Sequence, residues 1–151
     1  MKKISIEIIY DFEDENQKEF INQNISEFDN IVKKIAKSIF DIYKIKKSFS
    51  LYFVKVSTIQ ELNKKYRNID KATDVLTFAS TQTEDYLGEI IISFENIIKR
   101  AEIEEESIEN TLIYMIFHSF LHLLGYNHDN EEEYKIIEEK TEELLRRYEN
   151  L

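Results

Sequence analysis

Residues 112–128 read Leu112-Ile113-Tyr114-Met115-Ile116-Phe117-His118-Ser119-Phe120-Leu121-His122-Leu123-Leu124-Gly125-Tyr126-Asn127-His128. A helix through this run is apolar nearly all round, and such a helix belongs inside a fold with other elements packed about it. It is too short to span a bilayer, which needs about twenty apolar residues, and it carries two histidines. The spacing predicts a helix from about Glu105 to Leu124 that serves as the most apolar element of the domain.

All three histidines of the chain fall in this stretch. His118 and His122 are four apart, so a helix places them on one face a turn from each other. Gly125 can end that helix in the left-handed conformation that glycine adopts without steric cost, and His128 would return from the following loop. Three neutral imidazoles fill three positions of a tetrahedral zinc and leave the fourth for water, which is the pattern of a catalytic rather than a structural site. The competing reading is two core histidines on a buried helix. Their polar nitrogens would then need partners among apolar neighbours, and a shared metal supplies one to each. Imidazole ligands also suit nickel, cobalt and copper.

Working outward, Ile4, Ile6 and Ile8 alternate with Ser5 and Glu7 as in a strand with one buried face, and a polar stretch follows. Phe28, Ile31, Val32, Ile35, Ala36, Ile39, Phe40 and Tyr43 recur at helical spacing. Phe49 to Val56 is rich in aromatic and β-branched residues, which predicts a strand apolar on both faces and central in its sheet. Strand, helix and strand in this order suggest a right-handed parallel crossover. Thr58 and Glu61 suit a reciprocal capping box for a short helix that buries Ile59, Leu62 and Tyr66. Val75 to Phe78 and Leu87 to Ile92 read as two further strands, a hairpin if paired, around the polar loop Ser80 to Asp85. Ser93 suits the cap of a helix with Phe94, Ile97, Ile98 and Ala101 inward, and Asp129 that of a last helix with Tyr134, Ile137, Thr141, Leu144 and Tyr148 inward. The expected fold class is α+β: a small mixed sheet of about four strands with helices packed on it, one domain over residues 1–151.

Composition narrows the function. The chain has 151 residues, no cysteine and a net charge of −10. The absence of cysteine suits a reducing cytoplasm. Met1-Lys2-Lys3 resembles the start of a signal peptide, but Glu7 and Asp11 interrupt the apolar run behind it, so no leader or membrane anchor is expected. The negative charge speaks against a general nucleic-acid binder, yet it is uneven: residues 1–72 carry net +3 and residues 73–151 net −13. Lys64, Lys65, Arg67 and Lys71 are the candidate basic face, with a solvated helix surface as the plain alternative.

The spacing of His118, His122, Gly125 and His128 equals that of the metzincin proteases, but Ser119 stands where their catalytic glutamate belongs and no methionine follows His128. A peptidase would need a distant base such as Glu89 or Asp74. The stretch instead resembles the YbeY endoribonuclease family, whose motif HGxLHLxGYDH stands here as HSFLHLLGYNH. Upstream, residues 62–78, LNKKYRNIDKATDVLTF, look like the family's LNxxYRxxDxxTDVLSF, and Leu87-Gly88-Glu89-Ile90 resembles its LGDI strand. Ser119 and Asn127 depart from the family's glycine and aspartate.

The resemblance implies a metal-dependent hydrolase, an endoribonuclease that cuts single-stranded RNA in small-subunit ribosomal RNA maturation and ribosome quality control. Zinc would be held by His118, His122 and His128, and ribosomal proteins or ribosome-associated factors are the implied partners. Arg67, matched to the arginine of the YR segment, would clamp the scissile phosphate, because a guanidinium fork fits phosphate bidentately. Its alternative is a surface ion pair with Asp70 or Asp74. The rival from another class is a non-enzymatic ribosome assembly factor with a structural metal.

Overall fold

The computed structural model describes residues 4–11, 16–81 and 84–151. Its elements run β1 (Ile6–Tyr10), α1 (Gln17–Asn24), α2 (Phe28–Tyr43), β2 (Ser48–Val54), α3 (Val56–Arg67), β3 (Val75–Ala79), β4 (Tyr86–Ser93), α4 (Phe94–Glu104), α5 (Ile108–Leu123) and α6 (Glu131–Glu149). The strands form one sheet in the order β1-β2-β4-β3. β1 with β2 and β2 with β4 are parallel, and β3 runs antiparallel to β4. This is the expected α+β class with a mixed sheet. Met1 to Lys3, and Gln82 and Thr83 of the expected loop, lie outside the described residues.

Strand periodicity explains why β2 is apolar on both faces. Phe49, Leu51 and Phe53 join Ile90 and Ile92 of β4 in the main core, with buried residues of α2, α5 and α6. Val54, with Tyr52 packed against it, turns the other way into a smaller cluster with Ile91 of β4, Leu76 of β3 and Ile59 of α3. The sheet therefore has helices on both faces. Gly88 is required where β4 passes β3: its φ is +138°, and a Cβ there would lie 2.1 Å from the Phe78 carbonyl oxygen.

The long apolar run is α5, which packs on α4, α6, β3 and β4. Leu112, Ile116, Phe117, Phe120 and Leu121 are all fully buried. At roughly 1.5–3 kcal/mol per buried large apolar side chain, this helix is a principal source of core stability. Among the described residues, no helix is long and apolar enough to cross a membrane.

Several local expectations are corrected. The polar stretch after β1 contains α1, which anchors through a single fully buried isoleucine, Ile21, beside buried Gln17. With so few apolar residues, the helix has almost no periodic signal. Thr58 and Glu61 form no capping box: α3 begins at Val56 with Lys55 as its N-cap, and the Thr58 hydroxyl bonds Asp11 Oδ2 at 3.2 Å. α5 starts at Ile108, because Glu105 takes a left-handed φ of 55° and closes α4. The Ser107 side chain caps α5 by accepting from Asn110 N at 3.0 Å. Asn130 rather than Asp129 caps α6, accepting from Glu133 N at 2.9 Å, while Asp129 N donates to Glu133 Oε2 at 3.1 Å. Ser93 caps α4 as expected. Tyr66 and Tyr134, expected inward, are 53% and 54% exposed.

Candidate metal centre

The end of α5 builds the site. Gly125 has φ +102° with nothing within 4 Å of a Cβ position, so the backbone angle and not space demands glycine. Gly125 N donates to His122 O at 3.0 Å and Tyr126 N to Leu121 O at 3.1 Å. This pair of bonds is the Schellman closure of a helix C-terminus. It folds the chain back so that His128, in the loop before α6, meets the two helix histidines.

One ligand atom from each of His118, His122 and His128 lies within 4.8 Å of the others. His118 Nε2 and His122 Nε2 are 3.1 Å apart. The Nδ1 of His122 sits 2.8 Å from the Tyr126 carbonyl oxygen. A carbonyl only accepts, so Nδ1 carries the proton and Nε2 keeps its lone pair. Two ring nitrogens that face each other, with a third imidazole beside them, suit a shared cation, and the donor set fits a divalent transition metal.

The electrostatics favour neutral imidazoles at His118 and His122. Burial, reinforced by His122, His128 and Arg100, pushes the His118 pKa down to about 4. Burial also lowers that of His122, against the opposing effect of its bond to the Tyr126 carbonyl.

The histidines open on a cleft of about 540 Å³ that Arg67 also lines. The structure thus brings the four candidate residues Arg67, His118, His122 and His128 around one cavity. Arg67 makes neither of the ion pairs considered for it. Its Nη2 donates to the Thr77 carbonyl at 2.8 Å and its guanidinium lies 4.9 Å from the Phe78 ring centroid. Asp70 pairs with Lys64 at 3.8 Å, and Asp74 with Arg100 at 2.8 Å. Asp74 also accepts from Val75 N at 2.9 Å, so this carboxylate is committed to holding β3 and α4 together. Glu89 is exposed on β4 and is not part of the cleft wall. Neither carboxylate considered as a peptidase base stands free at the histidines.

Ser119 is accommodated: it is fully buried at the cleft, and its hydroxyl has no hydrogen-bond partner among the described residues. Asn127 is exposed in the loop before His128.

Among the cleft residues that the sequence reading did not assign to the site, three stand close to His118 or its neighbours. Tyr114, Tyr134 and Glu138 all line the cleft. Tyr114 stacks on His118 with ring centroids 5.8 Å apart and planes at 18°, and its hydroxyl donates to Glu138 Oε1. Burial and then that carboxylate push the Tyr114 pKa well above its ordinary value, so the phenol keeps its proton. The usable signal was position: Tyr114 is four residues before His118 and shares its helix face. Glu138 comes from another helix and had no such signal.

A family model described as Endoribonuclease YbeY matches residues 11–149. A curated relative of that description from Thermoanaerobacter sp. is 36% identical over 137 aligned positions, which cover 79% of this chain and 86% of the relative. Another, from Fusobacterium nucleatum subsp. nucleatum, is 35% identical over 153 positions, covering 93% and 94%. The solution structure of TM1509 from Thermotoga maritima aligns with a TM-score of 0.60 at 23% identity over 97% of this chain and 93% of that one, a likeness of fold.

Proposed function

The chain belongs to the endoribonuclease YbeY family and is an RNA-cleaving hydrolase; on that premise we propose that it is a zinc-dependent enzyme for single-stranded RNA in small-subunit ribosomal RNA maturation and ribosome quality control. His118, His122 and His128 are the metal ligands, Arg67 is the phosphate contact, and the ribosome with its associated proteins in the cytoplasm is the setting. The observation that carries this reading is the convergence of three imidazoles within 4.8 Å at a cleft that an arginine also lines.

A bound zinc ion would supply a water of lowered pKa and neutralise charge on a phosphate oxygen. The protein's own residues do the rest. The Schellman turn fixes the His122 tautomer through the Tyr126 carbonyl. Arg67 is held by the Thr77 carbonyl and the Phe78 ring, and a guanidinium has five N–H donors, enough to leave some for phosphate. Donors fixed in advance stabilise charge that grows in the transition state without reorganisation. Lys64, Lys65 and Lys71 are exposed on and just after α3. They give a chain of net charge −10 a local basic surface for the RNA backbone.

His128→Ala tests the reading. Loss of cleavage of single-stranded RNA with the fold retained supports it. Unfolding of the variant would make the metal structural, and cleavage of an unstructured peptide without cleavage of RNA would reject it.

A further inference from the structure

The two helix histidines differ in how their outward nitrogens are satisfied. For His122 the acceptor is the Tyr126 carbonyl at 2.8 Å. His118 has Nε2 turned towards His122 at 3.1 Å, so its Nδ1 points to the opposite side of the ring. That Nδ1 is buried and without a hydrogen-bond partner among the described residues. The carboxylate recorded beside it is Glu138, with Oε1 at 3.9 Å, beyond hydrogen-bond length. Glu138 is held there by the hydroxyl of Tyr114, whose ring also stacks on His118. α5 therefore supplies the imidazole and the aromatic shelf, and α6 supplies the acid.

We propose that Glu138, steered by Tyr114, is the positioning residue of His118, accepting its Nδ1 proton and so aiming the Nε2 lone pair at the metal. The inference rests on the proposed metal site and adds to it a residue outside the histidine triad. A ligand histidine with its second nitrogen bonded to a carboxylate is locked in tautomer and ring orientation and becomes a stronger donor. Closing 3.9 Å to bonding distance takes a shift of about 1 Å, and Glu138, with its side chain 26% exposed, has room for it. Leaving a ring nitrogen unbonded in a buried place is costly, and such a bond removes that cost. Glu138 lies on the Nδ1 side of the His118 ring and the facing Nε2 atoms on the other, so its proposed effect on the metal passes through His118.

The test is zinc affinity of chelator-stripped, full-length protein, read by competition with a chromogenic zinc chelator. Alongside it, imidazole NMR of the zinc-loaded protein reads the Nδ1 proton of His118. Glu138→Ala should weaken zinc binding by about 10–100-fold. Glu138→Gln, which retains an acceptor oxygen, should recover part of that loss, and Tyr114→Phe should show a smaller loss. The Nδ1 proton resonance should move in Glu138→Gln. Glu138→Ala binding zinc within about twofold of the parent overturns the proposal. Should that variant fail to fold, an unmoved Nδ1 resonance in Glu138→Gln overturns it instead. A parent protein that binds no zinc would sink the metal site itself, an outcome distinct from a metal site indifferent to Glu138.

Discussion

The Nδ1 of His122 lies 2.8 Å from the carbonyl oxygen of Tyr126, four residues on, across the turn that ends α5. In the proposed metal site the bond couples helix termination to ligand geometry: the turn that stops the helix also leaves Nε2 of His122 as the nitrogen with a free lone pair.

Replacing Gly125 should therefore damage stability and metal binding together. With φ at +102°, Gly125→Ala should cost about 1–2 kcal/mol in urea unfolding and weaken zinc in a chelator competition. A variant that loses stability alone would uncouple the turn from the site.

Arg67→Ala should lower RNA cleavage by about 100-fold or more, as for loss of one preorganised donor to developing charge, with metal content unchanged. Arg67→Lys should rescue little, since an ammonium lacks the planar fork. Single-turnover cleavage rates with both variants check this; parental rates would remove Arg67 from the reaction.

The metal-free protein should be acid-sensitive through His118. Its folded pKa is about 4 against 6.5 for the free side chain, so the unfolded chain takes up that proton first as pH falls. The contribution to stability is complete above pH 6.5 and is lost progressively towards pH 4. Urea melts of chelated protein over this window should show a steeper pH dependence in the parent than in His118→Asn. Identical slopes would contradict the depressed pKa.

Gly88→Ala should strike the β3–β4 hairpin, since a Cβ there meets the Phe78 carbonyl oxygen at 2.1 Å. A loss of about 1–3 kcal/mol is expected from the forced backbone shift, visible as a lowered melting temperature; an unchanged one would mean that the strand relaxes freely.

Much of this was legible in the sequence because the signals were periodic. The α5 run, the Phe28–Tyr43 helix and the two-faced β2 carry strong apolar patterns, and the three histidines share one short stretch. What was missed lacked such a pattern or depended on tertiary context. α1 is polar apart from Phe20 and Ile21. Thr58 was drawn to Asp11 rather than to its own helix. Tyr134 follows the helical period of the inward stripe, yet it is exposed and lines the cleft, a placement set by tertiary packing. Glu138 stands 3.9 Å from His118 Nδ1 on a separate helix, a relation that no local spacing encodes.

Elemental analysis of protein purified without a histidine tag, with His122→Ala alongside, tests the central claim most directly. The account predicts about one zinc ion per parental chain and little or none in the variant. A parent free of metal, or a variant that holds as much as the parent, would contradict it.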